Sequence, residues 1–404
     1  MRNQRYSIPR LKKSLDYLLK SPLYYQRLKQ IRRDELKAKQ QHINLNKKSV
    51  PKLFNLDLHI GVIADLEMGL KDNSASLTRW SISMHNHLVP GRIPVADPVR
   101  FVNARKWHLL NDSIIERFQK RYRIFLNSFD GFICTYPPTF AELYRNLNKP
   151  ILIVAATRYE APYTGRPDDL KRFDEYLRSG VRQNQILLYA NNQGDADYIN
   201  FNTGLNPKVV PSLCEKPGNF AGNNHLFVTL ARDQSLVNYI EKRSGYVFKS
   251  ISTLGKPYQW IDLIKCSEVL VFPQNISTMT LFELATAGVP VAIPSRTWIK
   301  ELIAKGFTIL NELTFHQILN INPVDMSDHN PSNYNSKLYL DWWLDRADFY
   351  NKDLMPNIRI VNSLEDLIQN RPETNPLISS KIITRNAKIA AQRETMILDL
   401  LNRA

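Results

Sequence analysis

The chain has 404 residues and a formal net charge of +16. That length allows two domains, each with a full core and no disulfide staples. Cys134, Cys214 and Cys266 are odd in number, widely spaced and without a CxxC pair, so they read as reduced core residues and not as a disulfide framework or a zinc site.

Residues 1–50 carry fourteen Lys and Arg against three acids, Asp16, Asp34 and Glu35, so most of the charge belongs to one arm. Leu11, Leu15, Leu18 and Leu19 recur at helical spacing with Lys12, Lys13 and Lys20 between them. One or two basic amphipathic helices are expected, able to pack on the body, to lie on anionic lipid headgroups or to meet an acidic partner. No recognition module follows, so nucleic acid is not expected as a partner. No stretch reaches the roughly 18 to 20 unbroken apolar residues of a membrane span, and "MRNQRYSIPRLKKSLDYLLK" lacks the apolar centre of a signal peptide. The reading is a cytoplasmic chain, free or peripheral to a membrane.

A folded body begins in "VPKLFNLDLHIGVIADLEMGL", with a strand near residues 56–60 and a helix from Ala64. Apolar runs ending in polar loops follow at "GFICTYP", "KPILIVAATRYE", "QILLYANNQGD" and "KVVPSL", separated by helical stretches such as "DSIIERFQKRYRIFLNSF" and "TFAELYRNL". Strands apolar on both faces that alternate with helices imply a parallel sheet covered on both sides, a doubly wound α/β domain over residues 51–215. The Gly-, Pro- and Asn-rich "CEKPGNFAGNNH" marks a linker. A second, smaller α/β domain over 216–375 is read from "HLFVTLARD", helix "QSLVNYIEKR", "YVFKSIST", helix "YQWIDLIKC", "VLVFPQ", helix "TLFELATAG", "VPVAIPS" and helix "WIKELIAKG". From about residue 305 the chain is expected to be mostly helical, ending in one long helix over 376–404.

Tandem domains of this kind place the C-terminal ends of two parallel sheets on one cleft. "VLVFPQNISTMTLFELATAGVPVAIPS", residues 269–295, lies at such an edge. Asn275, Ser277, Thr278, Met279 and Thr280 stand between a buried strand and a helix expected to start near Thr280. A helix N-terminus offers unpaired N–H groups and about half a positive charge, which suits a diphosphate. Glu283, expected in the first turn, can accept hydrogen bonds from ribose hydroxyls. The competing reading is an ordinary connection in which Ser277 or Thr278 caps the helix and Glu283 completes the cap.

This stretch resembles the nucleotide-sugar donor motif of GT-B glycosyltransferases, with Ser277, Thr278, Glu283, Ala287, Gly288, Pro290 and Val291 on the pattern. The resemblance implies two Rossmann-like domains facing a cleft, and a C-terminal helix that crosses back to the first of them. It further implies a nucleoside-diphosphate-sugar as co-substrate, the loop on the diphosphate, Glu283 on the ribose, and a glycan, lipid or protein acceptor. Arg232 ends the second domain's first strand and would meet the diphosphate. The family's usual Lys-Gly is missing, so Lys256, Lys242, Arg243 or Lys249 would supply a second charge.

The first domain is expected to hold the acceptor and a base. His59 and Asp65 follow its first strand; Trp80 and His85 share a strand-like segment; Arg158 and Glu160 leave the strand "PILIV" at the cleft edge. Histidine has the pKa to take a sugar hydroxyl's proton, and Trp80 can stack on a sugar face. Asp195-Ala196-Asp197 spells the metal-binding DxD of another glycosyltransferase fold, but its context favours a loop and a helix cap, and no metal is required. Trp342, Trp343 and Tyr350 read as a core or interdomain cluster. The other readings are a non-catalytic nucleotide- or sugar-binding protein on the same fold, and an interaction protein recruited through residues 1–50.

Overall fold

The computed structural model describes residues 50–67, 70, 75–82, 99–103, 106–215, 218–222, 226–245, 247–255, 259–370 and 376–403, with Arg33. The expected basic arm, His85 and Lys256 lie outside these residues. The chain divides into two compact units, one of residues 1–190, 203–208 and 394–404, the other of residues 191–202 and 209–393.

The first unit is built on a six-stranded sheet in the order β2-β1-β3-β4-β5-β6, with β1 Lys52–Asp57, β2 Ser76–Ser81, β3 Gly131–Cys134, β4 Ile151–Ala155, β5 Ile186–Ala190 and β6 Lys208–Val209. Pairings from β2 through β5 are parallel, Phe54 lying opposite Thr78 and Phe132, and Ile153 opposite Leu188. Strand β1 begins and ends earlier than expected, and helix α1 starts at Ile60, not Ala64. The Asp57 carboxylate accepts the N–H of His59 and so turns the chain out of the strand.

Helix α2, Asp112–Asn127, is capped by Asn111, whose side chain accepts the Ile114 N–H at 3.0 Å. It buries Ile114, Ile115, Phe118, Tyr122, Phe125 and Leu126, a single stripe at helical spacing. That stripe meets Phe54 and Trp80, with Trp80 stacked on Phe125 at 4.5 Å between ring centroids. "TFAELY" is a 3-10 helix over Pro138–Tyr144 instead of an α-helix; all seven side chains are buried, so it has no solvent face. Helix α3, Pro167–Arg182, opens on a proline whose missing N–H costs nothing at a first helical position.

The second unit holds helix α4, Gln193–Thr203, apart from its last residue, and a five-stranded parallel sheet in the order β11-β10-β9-β7-β8. Its strands are β7 Phe227–Leu230, β8 Phe248–Ser250, β9 Glu268–Val271, β10 Val291–Pro294 and β11 Ile358–Val361. Between them run α5 Gln234–Arg243, α6 Trp260–Leu263, α7 Met279–Ala287 and α8 Arg296–Ala304. Arg359 on β11 reaches past Ala292, its neighbour in register, to the buried Glu268 on β9, with nitrogen–oxygen distances of 3.1 and 2.9 Å.

The expectation of a mostly helical tail is corrected. Residues 320–338 are turns, because their Asn, Asp and Ser side chains satisfy the backbone locally: Asn330 accepts the Ser332 N–H at 2.9 Å, and Asn333 donates to the Met326 carbonyl at 2.8 Å. Strand β11 then adds an edge to the sheet where a helix was expected. The long final helix forms over Pro376–Leu401. Among the described residues no helix is long and apolar enough to cross a membrane.

Candidate functional site

In the second unit the strand order reverses between β7 and β9, so the loops leaving those two strands flank the switch point where open parallel sheets bind ligands. The loop after β7 presents Arg232, exposed and ion-paired with the Glu312 carboxylate. The loop after β9 runs alongside residues 310–312, with Leu310 N–H to the Pro273 carbonyl and Glu312 N–H to the Gln274 carbonyl, both at 3.0 Å. Asn275 donates to the Glu312 carbonyl at 2.8 Å and accepts the Ile276 N–H at 2.8 Å. Glu312 therefore joins Arg232 to Asn275. Sequence reading missed it, because 37 residues separate it from Asn275 and no local pattern marks it.

Ser277, Thr278, Met279 and Thr280 follow, all half-buried. Thr278 is the N-cap residue of α7, with extended backbone, and its carbonyl accepts the Leu281 and Phe282 N–H groups at 3.1 and 3.4 Å. Its hydroxyl makes no capping hydrogen bond, and the first turn holds no acid. Two expectations change here. The helix starts at Met279, which puts Glu283 at the head of the second turn, half-buried. Neither Thr278 nor Glu283 caps the helix in the manner of a capping box, so the residue types are not accounted for by capping.

The end of the motif has a local explanation. Gly288 stops α7 in the left-handed region at φ 78°, which a side chain rarely adopts, and Val289 N–H returns to the Leu284 carbonyl at 2.9 Å. Val291 then opens β10. Gly288-Val289-Pro290-Val291 thus serves the fold.

In the first unit the order reverses between β1 and β3. Asp57, at the end of β1, is fully buried and accepts N–H groups from both flanking loops, that of His59 and that of Tyr136 at 3.2 Å. Burial pushes its carboxyl up to about 8, against the pull of those backbone donors. Sequence reading missed Asp57; the sign was an acid closing the first strand, "KLFNLD", where its loop begins. His59 is half-buried beside it, its ring 6.0 Å from that of Tyr136. Asp65 is buried on α1.

Arg158 and Glu160 are buried in the loop after β4. That loop is pinned by Tyr163 O–H to the Glu142 carboxylate, by Tyr159 O–H to Asp174 at 2.9 Å and by Thr139 to the Ala161 carbonyl. Burial raises the Glu142 carboxyl and pushes that of Asp174 up to about 6.

Trp80 is not available to a sugar: it is fully buried in the aromatic core of the first unit. Asp195 is bonded to Asn192 and Asp197 is paired with Arg346 at 2.6 Å, so both carboxylates of the DxD spelling serve helix α4 and its packing. Trp343 is core, its indole donating to the Pro331 carbonyl at 3.0 Å.

No family model and no curated protein matches the chain in sequence. Among solved structures it is similar to the glycosyltransferase SnogD from Streptomyces nogalater, at 13% identity over 73% of this chain and 96% of that one, TM-score 0.38. It is also similar to CalG4, the calicheamicin glycosyltransferase, at 11% identity over 89% and 100%, TM-score 0.38, and to the glycotransferase of kitacinnamycin, at 10% identity over 88% and 98%, TM-score 0.41.

Proposed function

We propose that the chain is a glycosyltransferase of GT-B type that takes a sugar from a nucleoside-diphosphate donor to the hydroxyl of an acceptor. One observation supports this most: at the switch point of the second sheet, four half-buried residues, Ser277 to Thr280, surround a helix N-terminus that its own N-cap hydroxyl leaves unbonded, with Arg232 on the adjoining loop. N–H groups at the head of a helix have no intrahelical partner and carry partial positive charge, which is the environment a diphosphate needs.

In this reading the N–H groups of Met279 and Thr280, the hydroxyls of Ser277 and Thr278, and Arg232 hold the diphosphate, and Glu283 accepts the ribose hydroxyls. As the bond from the anomeric carbon to the diphosphate oxygen breaks, negative charge grows on that oxygen, where the helix N-terminus and Arg232 stabilise it. The acceptor oxygen bonds to the anomeric carbon and gives up its proton to a general base. No metal enters this scheme, since the leaving-group charge is met by Arg232 and backbone N–H groups.

The test is a thermal-shift and calorimetric titration of wild type, Glu283→Ala and Arg232→Ala with UDP, dTDP, GDP and ADP. A diphosphate at about 100 times its dissociation constant should stabilise the wild type by roughly 2.7 kcal/mol. Both variants should lose that stabilisation while folding normally; Arg232 is 72% exposed, so its pair with Glu312 contributes at most about 1 kcal/mol to the fold. If the wild type responds to none of the four, the donor reading is wrong.

A further inference from the structure

The run Asn191-Asn192-Gln193-Gly194-Asp195-Ala196-Asp197 follows β5 in the chain and groups with the second unit. Its carboxylates are occupied, but its glycine is not explained by turn geometry, because Gly194 lies inside the first turn of α4. What Gly194 lacks is room. A Cβ there would stand 2.1 Å from Ile276 Cδ1, 3.3 Å from Asn192 Oδ1 and 3.5 Å from Arg346 Cβ.

Two of the three neighbours are bonded in place, and the third is the tip of a buried side chain. Asn192 accepts the Asp195 N–H at 2.7 Å and donates to Asn191 and Asp195 at 2.7 and 2.5 Å. Arg346 is held by Asp197 at 2.6 Å and by the Trp342 carbonyl at 2.9 Å, with its guanidinium 4.0 Å from the Trp342 ring centroid. Ile276 is fully buried, its N–H on Asn275 and its carbonyl on the Asp348 N–H at 3.2 Å. It is also the residue immediately before Ser277.

We propose that helix α4 positions the donor loop: Gly194 seats the Ile276 side chain, and that seat fixes where the Ser277–Thr280 segment stands. Gly194 touches no substrate and acts through Ile276. The proposal rests on the donor reading for its consequence in binding, but the coupling of Gly194 to the loop has a readout of its own. An added methyl in a closed core forces side chains off their rotamers or shifts backbone. With Asn192 and Arg346 bonded in place, the yielding part is Ile276 and the loop it anchors.

The experiment compares wild type, Gly194→Ala, Ile276→Val and the double variant. Ile276→Val removes the very methyl, Cδ1, that the new Cβ would meet. Two quantities are read: the dissociation constant for UDP, dTDP, GDP and ADP, and hydrogen exchange of the amides of residues 276–281 against those of β7 and β9 as internal control. Gly194→Ala should weaken diphosphate binding about tenfold, the factor that about 1.4 kcal/mol represents, and speed exchange at 276–281 with β7 and β9 unchanged. The double variant should recover both.

Unchanged exchange and binding in Gly194→Ala would overturn the proposal, as would a double variant that folds but recovers neither. Should Gly194→Ala fail to fold, Ile276→Ala in the wild-type background empties the seat from the other side, and unaltered exchange at 276–281 would then overturn it. A wild type that binds no diphosphate removes the donor reading, and the exchange measurement still decides whether Gly194 sets the loop.

Discussion

Asp57 gives the sharpest test of the first unit's switch point. A carboxyl whose pKa is higher in the folded chain than in the unfolded one stabilises the fold while it is protonated. Its contribution is complete below the ordinary value of 3.8 and is lost as pH rises through about 8. Across that window the loss accumulates at about 1.4 kcal/mol per pH unit, about 6 kcal/mol in all for a group with no solvent exposure. Asp57→Asn keeps the shape and cannot ionise. It does exchange one accepting oxygen for an N–H₂, which would face a backbone donor of His59 or Tyr136, a cost of about 1–3 kcal/mol at any pH.

The variant should therefore gain about 4 kcal/mol on the wild type between pH 5 and pH 8 and be the more stable of the two by pH 8. Other buried acids whose carboxyls burial raises, Glu142, Asp174 and Glu268, titrate in both proteins and cancel in the difference. The assay is urea-dependent thiol labelling of Cys134, fully buried on β3 of the same unit, followed by mass spectrometry of its peptide and normalised to unfolded chain at each pH. A stability gap between variant and wild type that stays constant from pH 5 to pH 8 would refute the reasoning.

Trp80→Ala should destabilise the first unit by about 3–5 kcal/mol, since it removes a fully buried ring stacked on Phe125. Diphosphate affinity in the folded fraction should not change, which calorimetry checks. Arg359→Met should cost about 3 kcal/mol by leaving Glu268 buried without its cation. Burial already raises that carboxyl, so the cost should grow as pH rises from 5 to 8, and adding Glu268→Gln should remove the pH dependence in urea unfolding.

What the sequence discloses and what it hides follow from the range of each interaction. Strands β3, β4, β9 and β10 were legible because a parallel sheet covered on both faces demands unbroken apolar runs, and "GFIC", "ILIVA", "EVLV" and "VAIP" supply them. Helix α5 was legible to the residue, opened by the capping side chain of Asp233. Strand β11 was not, because "IRIV" carries an arginine whose purpose, the carboxylate of Glu268, lies 91 positions away. The turns of 320–338 were misread for a related reason: Asn and Asp favour turns through local bonds, and a scan for helical periodicity passes over them.

The loop of residues 275–280 shows where such reading stops. A helix start that caps itself and one that waits for an anion use the same residues, Ser, Thr and Asn, because both must satisfy the same N–H groups. Composition cannot separate them, and the direction of one hydroxyl can. Thr278 occupies the N-cap position without the N-cap bond, whereas Asn111, Asp233, Ser295, Thr314 and Ser363, at the heads of other helices, each accept a backbone N–H. The chain thus spells the capping solution repeatedly and departs from it at the switch point of the second sheet, beside Arg232. A departure from a local rule at the place where topology directs a ligand is what the proposed donor site requires.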